Sequence, residues 1–201
     1  HIIPHQFAIT AAIFEFLSRP WTMFTYMFTH DLQGILHILF NMLVLYWFGR
    51  LFVEYLGSDK LIALYILGGL AGAAIYLAAY NTIPYYAGQI QGRMFQMVGA
   101  SAAVDAIVVA TAVLLPNYTF FLLFFGPVKI KWIAIITVLL SFFGTVGSNE
   151  GGNLAHLGGA LIGFVYMKQL QAGSNWGMWI TTRIDWLKGV FSGRPRVKVS
   201  Y

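Results

Sequence analysis

Long apolar stretches separated by short polar connections dominate the pattern of this chain. Five of them approach the roughly 20 apolar residues that a helix needs to cross a lipid bilayer, although the last is short and rich in glycine. The pattern therefore predicts an all-α fold, a polytopic transmembrane helical bundle with five spans. The predicted spans cover residues 35–53, 61–80, 97–115, 132–147 and 154–167.

Two further apolar regions are too short or too broken to cross a bilayer. Residues 118–128 have about half the necessary length and contain Gly126 and Pro127, so we predict an interfacial segment there. Residues 1–33 hold many aromatic side chains but are interrupted by Glu15, Arg19 and Pro20. Because aromatic side chains favour the membrane–water interface, we expect these residues to form an ordered, membrane-associated outer loop.

Composition supports a membrane protein. Hydrophobic residues make up 59% of the 201 residues and charged residues only 9%, with a mean hydropathy of +0.72. Because soluble domains carry about 25% charged residues, an ordinary soluble domain is excluded. The absence of cysteine excludes disulfide frameworks and thiolate metal sites.

The basic residues lie mostly on one side of the predicted bundle. Ten of the 12 Lys and Arg residues fall on alternate connections and in the C-terminal tail, whereas Arg19 and Arg93 fall on the other side. Connections rich in Lys and Arg stay in the cytoplasm, so residues 1–33 are expected outside. A segment without its own export signal needs a preceding span, and we therefore expect a helix before residue 1. The ten basic residues are Arg50, Lys60, Lys129, Lys131, Lys168, Arg183, Lys188, Arg194, Arg196 and Lys198.

The net charge of +5 follows from this topology, so it is not taken to indicate a nucleic-acid partner. In residues 171–201, Trp176, Trp179 and Trp186 lie among the basic residues, which predicts a cytoplasmic tail along the anionic inner leaflet. The predicted organisation is thus an outer loop over 1–33, a helical bundle over 34–170 and a basic tail over 171–201. The lipid bilayer is the expected partner, and the sequence does not indicate an oligomeric state.

Three spans that run in the same direction carry polar residues at their outer ends. His37 and Asn41 lie in the first two turns of the first span, Ser101 lies near the start of the third, and His156 lies near the start of the fifth. These groups should therefore share one depth in the membrane. Ionisable groups inside a membrane are costly and usually face the bundle interior, so this is a candidate functional site.

Each of these residue types has a possible chemical role. Ser101 is a candidate nucleophile, and His156 is the available base because neutral imidazole titrates near working pH. The Ser101 backbone N–H at a helix start, together with His37 and Asn41 four residues apart, could stabilise an oxyanion. The structural alternatives are that Ser101 is a packing residue, that His156 makes an interhelical hydrogen bond, and that His37 and Asn41 only hold helices together. His30 is expected to bond loop backbone.

Small residues near the serine and the histidine should let the helices approach closely, which a Ser–His hydrogen bond requires. The third span carries a small-residue stripe, and the fifth carries a glycine cluster. The stripe is Gly99, Ala103, Ala106 and Ala110, and the cluster is Gly158, Gly159, Ala160 and Gly163.

The motifs together resemble those of rhomboid intramembrane serine proteases of the bacterial type. They are Trp21-Thr22, Phe28-Thr29-His30, His37-Ile38-Leu39-Phe40-Asn41, Gly99-Ala100-Ser101 and Ala155-His156-Leu157-Gly158-Gly159. The resemblance runs from about residue 20 to 170. It implies a Ser101–His156 dyad without a third acidic member, and an oxyanion site made by His37, Asn41 and the Ser101 amide. It also implies a six-helix core of which five helices are present, in a cytoplasmic (inner) membrane with the site open to the outer side.

Two positions depart from the pattern of that family. Ala102 stands where a glycine often follows the serine, and its methyl group should be tolerated if that face has room. Asp105 stands where many relatives have an aromatic residue. Asp105 lies one turn below Ser101 on the same face. It could bond His156 and hold its tautomer, or it could be neutral and pair with another helix; we treat Gly99 and Asp105 as candidate modulators of the site.

The expected function is an intramembrane serine endopeptidase that cuts transmembrane segments of other proteins near the outer face. Residues 147–153, polar and rich in glycine, are expected to form a mobile cap over the site. No metal or other cofactor is expected, because the histidines lack carboxylate or thiolate companions at ligand spacing. The alternative is a non-enzymatic rhomboid-like factor that binds or escorts membrane proteins; a transporter is less consistent with the chain because no inverted repeat is evident.

Overall fold

A computed structural model describes residues 6–31, 34–90, 95–122 and 126–192. Five long helices form the bundle: α3 (Ile35–Leu56), α4 (Ser58–Thr82), α6 (Ser101–Leu114), α7 (Ile130–Phe143) and α8 (Glu150–Gln171). Short helices are α1 (Ile13–Ser18), α2 (Thr22–Thr25) and α5 (Pro84–Ala87), and Tyr26–Phe28 form a 3-10 turn. The 15-residue helix α9 (Met178–Ser192) follows the bundle. The predicted all-α bundle is confirmed.

Helices α3 and α4, of 22 and 25 residues, are long and apolar enough to cross a membrane. Helices α6 and α7 are apolar but have only 14 residues each. Because consecutive long helices alternate in direction, α3, α6 and α8 begin at the same end of the bundle. We call this end the site end.

Two helix starts differ from the prediction by four residues, and those of α4 and α7 differ by two or three. Helix α6 begins at Ser101, four residues later than expected, because Gln96–Met97 forms strand β2 and pairs antiparallel with strand β1, Ile9–Thr10. Helix α8 begins at Glu150, so half of the polar segment predicted as a mobile cap is its first turn. We call residues 144–149, between α7 and α8, the cap.

The segment predicted as interfacial over 118–128 contains a β-hairpin. Strand β3, Thr119–Leu122, pairs antiparallel with strand β4, Gly126–Lys129. Gly126 begins β4 with a φ of +68°, a conformation that favours glycine. The hairpin follows α6 and precedes α7, so it lies at the end of the bundle opposite the site.

Helices α4, α6 and α8 form the centre of the bundle, and glycines on α8 allow their backbones to meet. A Cβ atom at Gly159 would overlap the carbonyl oxygen of Ala102 on α6, and one at Gly158 would lie 2.7 Å from the carbonyl oxygen of Ala71 on α4. No side chain larger than hydrogen fits at either position. The small residues predicted to permit close approach therefore do so.

The described part of the predicted outer loop, residues 6–31, packs against α4. The Tyr26 hydroxyl donates to the Gly69 carbonyl oxygen at 2.6 Å, and the Tyr65 hydroxyl donates to the Met27 carbonyl oxygen at 2.8 Å. Tyr26 and Met27 are fully buried. Residues 1–5 and 32–33 of this segment lie outside the described residues, as do residues 193–201 of the predicted tail.

Candidate active site

Ser101 and His156 meet at the site end of the bundle. The hydroxyl oxygen of Ser101, the first residue of α6, lies 2.7 Å from Nε2 of His156 in the second turn of α8. This is hydrogen-bond distance. Gly159 lies one turn after His156 on the same face of α8, where it contacts Ala102 beside the serine. Backbone contact between α6 and α8 therefore sets the Ser–His distance.

His37 lies on the other side of Ser101. A Cβ atom built on Gly99 would lie 3.3 Å from Cε1 of His37 and 3.8 Å from Oγ of Ser101, so Gly99 separates the imidazole from the hydroxyl. Gly99 also has a φ of +128°, which L side chains rarely adopt. The backbone conformation favours glycine at this position, where the chain passes from β2 into α6, and a side chain there would also press on His37.

Asn41 is placed differently from its predicted partners. It is buried, and its side-chain amide donates to the carbonyl oxygen of His37 at 2.9 Å, within α3. It is not among the described residues that line the cavity at the site. The structure therefore brings Ser101, His156, His37 and Gly99 together, and it places Asn41 one turn behind His37.

The N-terminal segment holds the turn that precedes the serine. The Gly99 N–H donates to the Tyr26 carbonyl oxygen at 3.0 Å, and the Ala100 N–H donates to Nε2 of His30 at 3.4 Å. His30 therefore bonds loop backbone as predicted. Burial, with a smaller contribution from the charge of His37, lowers the pKa of His30, which keeps Nε2 available as an acceptor.

Nδ1 of His156 faces two polar side chains on other helices. Oγ of Ser141, on α7, lies at 3.4 Å, and Oδ2 of Asp105, on α6, lies at 3.7 Å. The Asp105 side chain is 13% exposed and Ser141 is 5% exposed. The position of Asp105 was predicted, but that of Ser141 was not. The only signal for Ser141 was a hydroxyl within an apolar helix.

A cavity of about 480 Å³ opens over the serine and the histidine. Its walls come from the segment 95–99, from α4 and from the cap. Among the residues that line it are Tyr76, Gln96, Gly99, Ser101, Ser148 and His156.

Glu150 ties the cap to the connection that follows α4. Its carboxylate accepts from the Tyr85 hydroxyl at 2.8 Å, from Nε2 of Gln89 at 2.8 Å and from the Gly147 N–H at 3.1 Å. The Tyr86 hydroxyl donates to the Thr145 carbonyl oxygen at 2.9 Å. The sequence placed Glu150 in the predicted mobile segment 147–153 but did not reveal its partners, because Tyr85 and Gln89 are more than 60 residues away.

Within the described part of the chain, no group of three or more His, Cys, Asp or Glu side chains could hold a metal ion. The chemistry at this end is thus a hydroxyl beside an imidazole, with a second imidazole and a free helix N-terminus close to both. That arrangement suits nucleophilic attack on a carbonyl carbon.

The family model of the Rhomboid domain matches residues 17–171, which covers more than half of the chain. The chain belongs to the rhomboid family. This confirms the resemblance drawn from the motifs, and it makes the bundle from α3 to α8 a rhomboid fold in a membrane-associated protein. The match includes the described part of the N-terminal segment from Leu17, so the turns that hold Gly99 and Ala100 belong to the rhomboid domain.

The chain is also similar to the RHOMBOID-like protein 12, mitochondrial, of Arabidopsis thaliana. The two are 31% identical over 163 residues, which is 78% of this chain and 48% of the relative. The chain thus spans about half the length of that rhomboid relative. The name of that relative places it in mitochondria, so the expectation of a bacterial inner membrane for this rhomboid is not supported.

Proposed function

We propose that this rhomboid is an intramembrane serine endopeptidase that cleaves transmembrane segments of other membrane proteins. The observation that carries the proposal is the 2.7 Å contact between Oγ of Ser101 and Nε2 of His156 at the floor of an open cavity. An alcohol becomes a nucleophile when an adjacent base takes its proton, and His156 is within reach to do so.

In the first half of the reaction, Oγ of Ser101 forms a bond to the scissile carbonyl carbon. The serine proton passes to Nε2 of His156, and the carbonyl oxygen becomes an oxyanion. The tetrahedral intermediate then collapses as its C–N bond breaks. His156 gives the proton to the leaving amine, and the substrate's N-terminal part remains as an ester on Ser101.

In the second half, water from the cavity attacks the ester carbon and gives its proton to His156. The bond to Oγ breaks, His156 returns the proton to Oγ, and a carboxylic acid leaves. Water is the only co-reactant. The cavity and the cap at the site end provide a route by which it can enter.

Two groups are placed to stabilise the oxyanion. The Ser101 N–H lies in the first turn of α6, where backbone N–H groups lack intrahelical acceptors. The His37 imidazole lies across Gly99 from the serine. Asn41 supports this site by bonding the carbonyl oxygen of His37, and the second hydrogen of its amide remains a candidate donor.

The substrate must present an unwound backbone to this site, because a helical peptide bond is already hydrogen-bonded and shielded. We therefore propose substrates that have small residues at the cut and helix-breaking residues nearby. Because the basic connections lie at the opposite end of the bundle, we propose that the cut is near the outer face of the membrane.

The test uses the purified full chain, a fluorophosphonate probe and a labelled model transmembrane substrate. The probe phosphonylates a nucleophilic serine and releases fluoride, so it reports on Ser101 without knowledge of the native substrate. We expect labelling and cleavage in the wild type and in the control Ser174→Ala, whose serine lies after α8, and neither in Ser101→Ala or His156→Ala.

Labelling or cleavage that persists in Ser101→Ala would overturn the proposed mechanism. A wild type that neither reacts with the probe nor cuts, yet captures the transmembrane substrate, would favour the binding or escort factor instead.

A further inference from the structure

The imidazole of His156 has two nitrogens, and the proposed function uses only one of them. Nε2 faces Ser101, whereas Nδ1 faces Oγ of Ser141 at 3.4 Å and Oδ2 of Asp105 at 3.7 Å. These two oxygens come from α7 and α6, so three helices meet around one ring.

The tautomer of His156 decides whether it can act as a base. Nε2 accepts the serine proton only if it is unprotonated, and in the neutral ring the single proton must then lie on Nδ1. The partner of Nδ1 usually selects the tautomer. Both a serine hydroxyl and a carboxylate can accept from Nδ1–H, and both are present on that side of the ring.

The two oxygens differ in what they contribute. The Ser141 contact of 3.4 Å is a long hydrogen bond, which resting enzymes often show before substrate binds. The Asp105 distance of 3.7 Å is beyond a hydrogen bond but within ion-pair range. An ionised carboxylate at this distance would stabilise the cation that His156 becomes when it takes the serine proton. His37, on α3, also acts electrostatically on the ring, and a positive charge there opposes that cation.

We propose that Asp105 and Ser141 are positioning residues that hold the His156 proton on Nδ1, with Asp105 also balancing the imidazolium that forms during attack by Ser101. The inference deepens the proposed function and rests on it. The site would then be a Ser–His dyad whose histidine is oriented by a carboxylate and a hydroxyl. The family resemblance implies the dyad alone.

The test separates charge from hydrogen bonding with two sets of variants. Asp105→Asn removes the charge but keeps an acceptor oxygen. The double variant Asp105→Leu with Ser141→Ala removes both acceptors. Matched controls remove a hydroxyl from the same helices, Thr111→Val on α6 and Thr137→Val on α7, whose side chains bond carbonyl oxygens of their own helices.

Rates are measured as fluorophosphonate labelling and as kcat and KM on a transmembrane substrate, and the tautomer is read from ¹⁵N NMR of labelled histidine. We expect Asp105→Asn to lower the labelling rate and kcat by roughly 10–100-fold with KM nearly unchanged, as for other partners that orient a histidine. Ser141→Ala should lose about 2–10-fold, the range of one hydrogen bond. In the double variant the proton should move from Nδ1 to Nε2.

A labelling rate in Asp105→Asn within twofold of Thr111→Val, or a double variant whose proton stays on Nδ1, overturns the inference. The NMR measurement reports the tautomer of His156 without substrate. It therefore distinguishes a failure of this inference from a failure of the proposed protease activity. A wild type that does not react with the probe refutes the proposed protease activity. A reactive wild type whose variants keep the wild-type labelling rate refutes only the role of Asp105 and Ser141.

Discussion

The floor and the cap of the cavity are built in different ways. The floor is the contact of α4, α6 and α8, where Gly72, Ala102 and Gly159 bring backbones together with no side chain larger than a methyl group between them. The cap is held by a few hydrogen bonds to residues around it: the Gly147 N–H donates to the Glu150 carboxylate, the Tyr86 hydroxyl to the Thr145 carbonyl oxygen, and the Asn153 amide to the carbonyl oxygens of Gly144 and Asn149. Glu150 in turn accepts from Tyr85 and Gln89. Close packing tolerates almost no displacement, whereas a small set of hydrogen bonds can open as a unit. The floor therefore fixes the Ser–His distance, and the cap is the part that can move.

Gly159→Ala tests the close packing of the floor most directly. In Gly159→Ala the new methyl group would overlap the Ala102 carbonyl oxygen, so α6 and α8 must separate. We expect a loss of more than about 3 kcal/mol in the free energy of unfolding, the upper range for overpacking. Thermal unfolding in detergent measures it. The control is Gly189→Ala on α9, where nothing lies within 4 Å of the added methyl group; an equal loss there would refute the packing argument.

The cap is tested by Glu150→Ala. Three donors lose their acceptor, and we expect the cap to open more easily by ~2 kcal/mol, within the range for hydrogen bonds to a charged group. Hydrogen exchange at the Gly147 amide should rise by more than tenfold, while exchange around Gly159 should stay the same. Glu54→Ala, an exposed carboxylate on α3, serves as the control. Faster exchange in the floor would mean that the two regions are one cooperative unit.

Ala102→Gly tests how much a single methyl group contributes to the packing of the floor. Ala102 is 1% exposed, and its methyl group packs against Gly72. Its removal loses about 0.8 kcal/mol of burial and adds the cost of glycine in a helix, roughly 0.5–1 kcal/mol. Ala74→Gly, exposed on α4, measures the second contribution alone. A variant at 102 no less stable than the variant at 74 would show that this methyl group does not pack.

The smallest expected effect is a pH dependence of the cap. Burial raises the pKa of the Glu150 carboxyl, but hydrogen bonds from Tyr85, Gln89 and the Gly147 N–H outweigh it and leave the pKa below its usual range. Stability from such a group is present above its unfolded pKa and is lost as pH falls through the folded pKa. Protection of the Gly147 amide, corrected for intrinsic exchange, should therefore decrease as the solution is acidified below about pH 4. In Glu150→Gln this dependence should disappear.

The apolar pattern was sufficient to predict the helices and the end of the bundle at which Ser101 and His156 meet. It failed at the start of α6, because the pairing of Gln96–Met97 with Ile9–Thr10 joins segments more than 80 residues apart. It missed Ser141 because a hydroxyl in an apolar helix ordinarily bonds its own backbone. The orientation of Asn41 toward its own helix also has no sequence signal, since a residue four positions from His37 can face either the site or the turn before it.

The short helices α6 and α7 have a consequence for the lipid around them. A helix of 14 residues rises about 21 Å, roughly 9 Å less than the hydrocarbon thickness of a bilayer. Such a hydrophobic mismatch is accommodated by thinning of the adjacent bilayer, at a cost of fractions of a kcal/mol for each ångström. The membrane beside α7 should therefore be thinner than elsewhere. A neighbouring protein whose helix is longer than that local thickness would have its end displaced into the polar headgroup layer, level with Ser101.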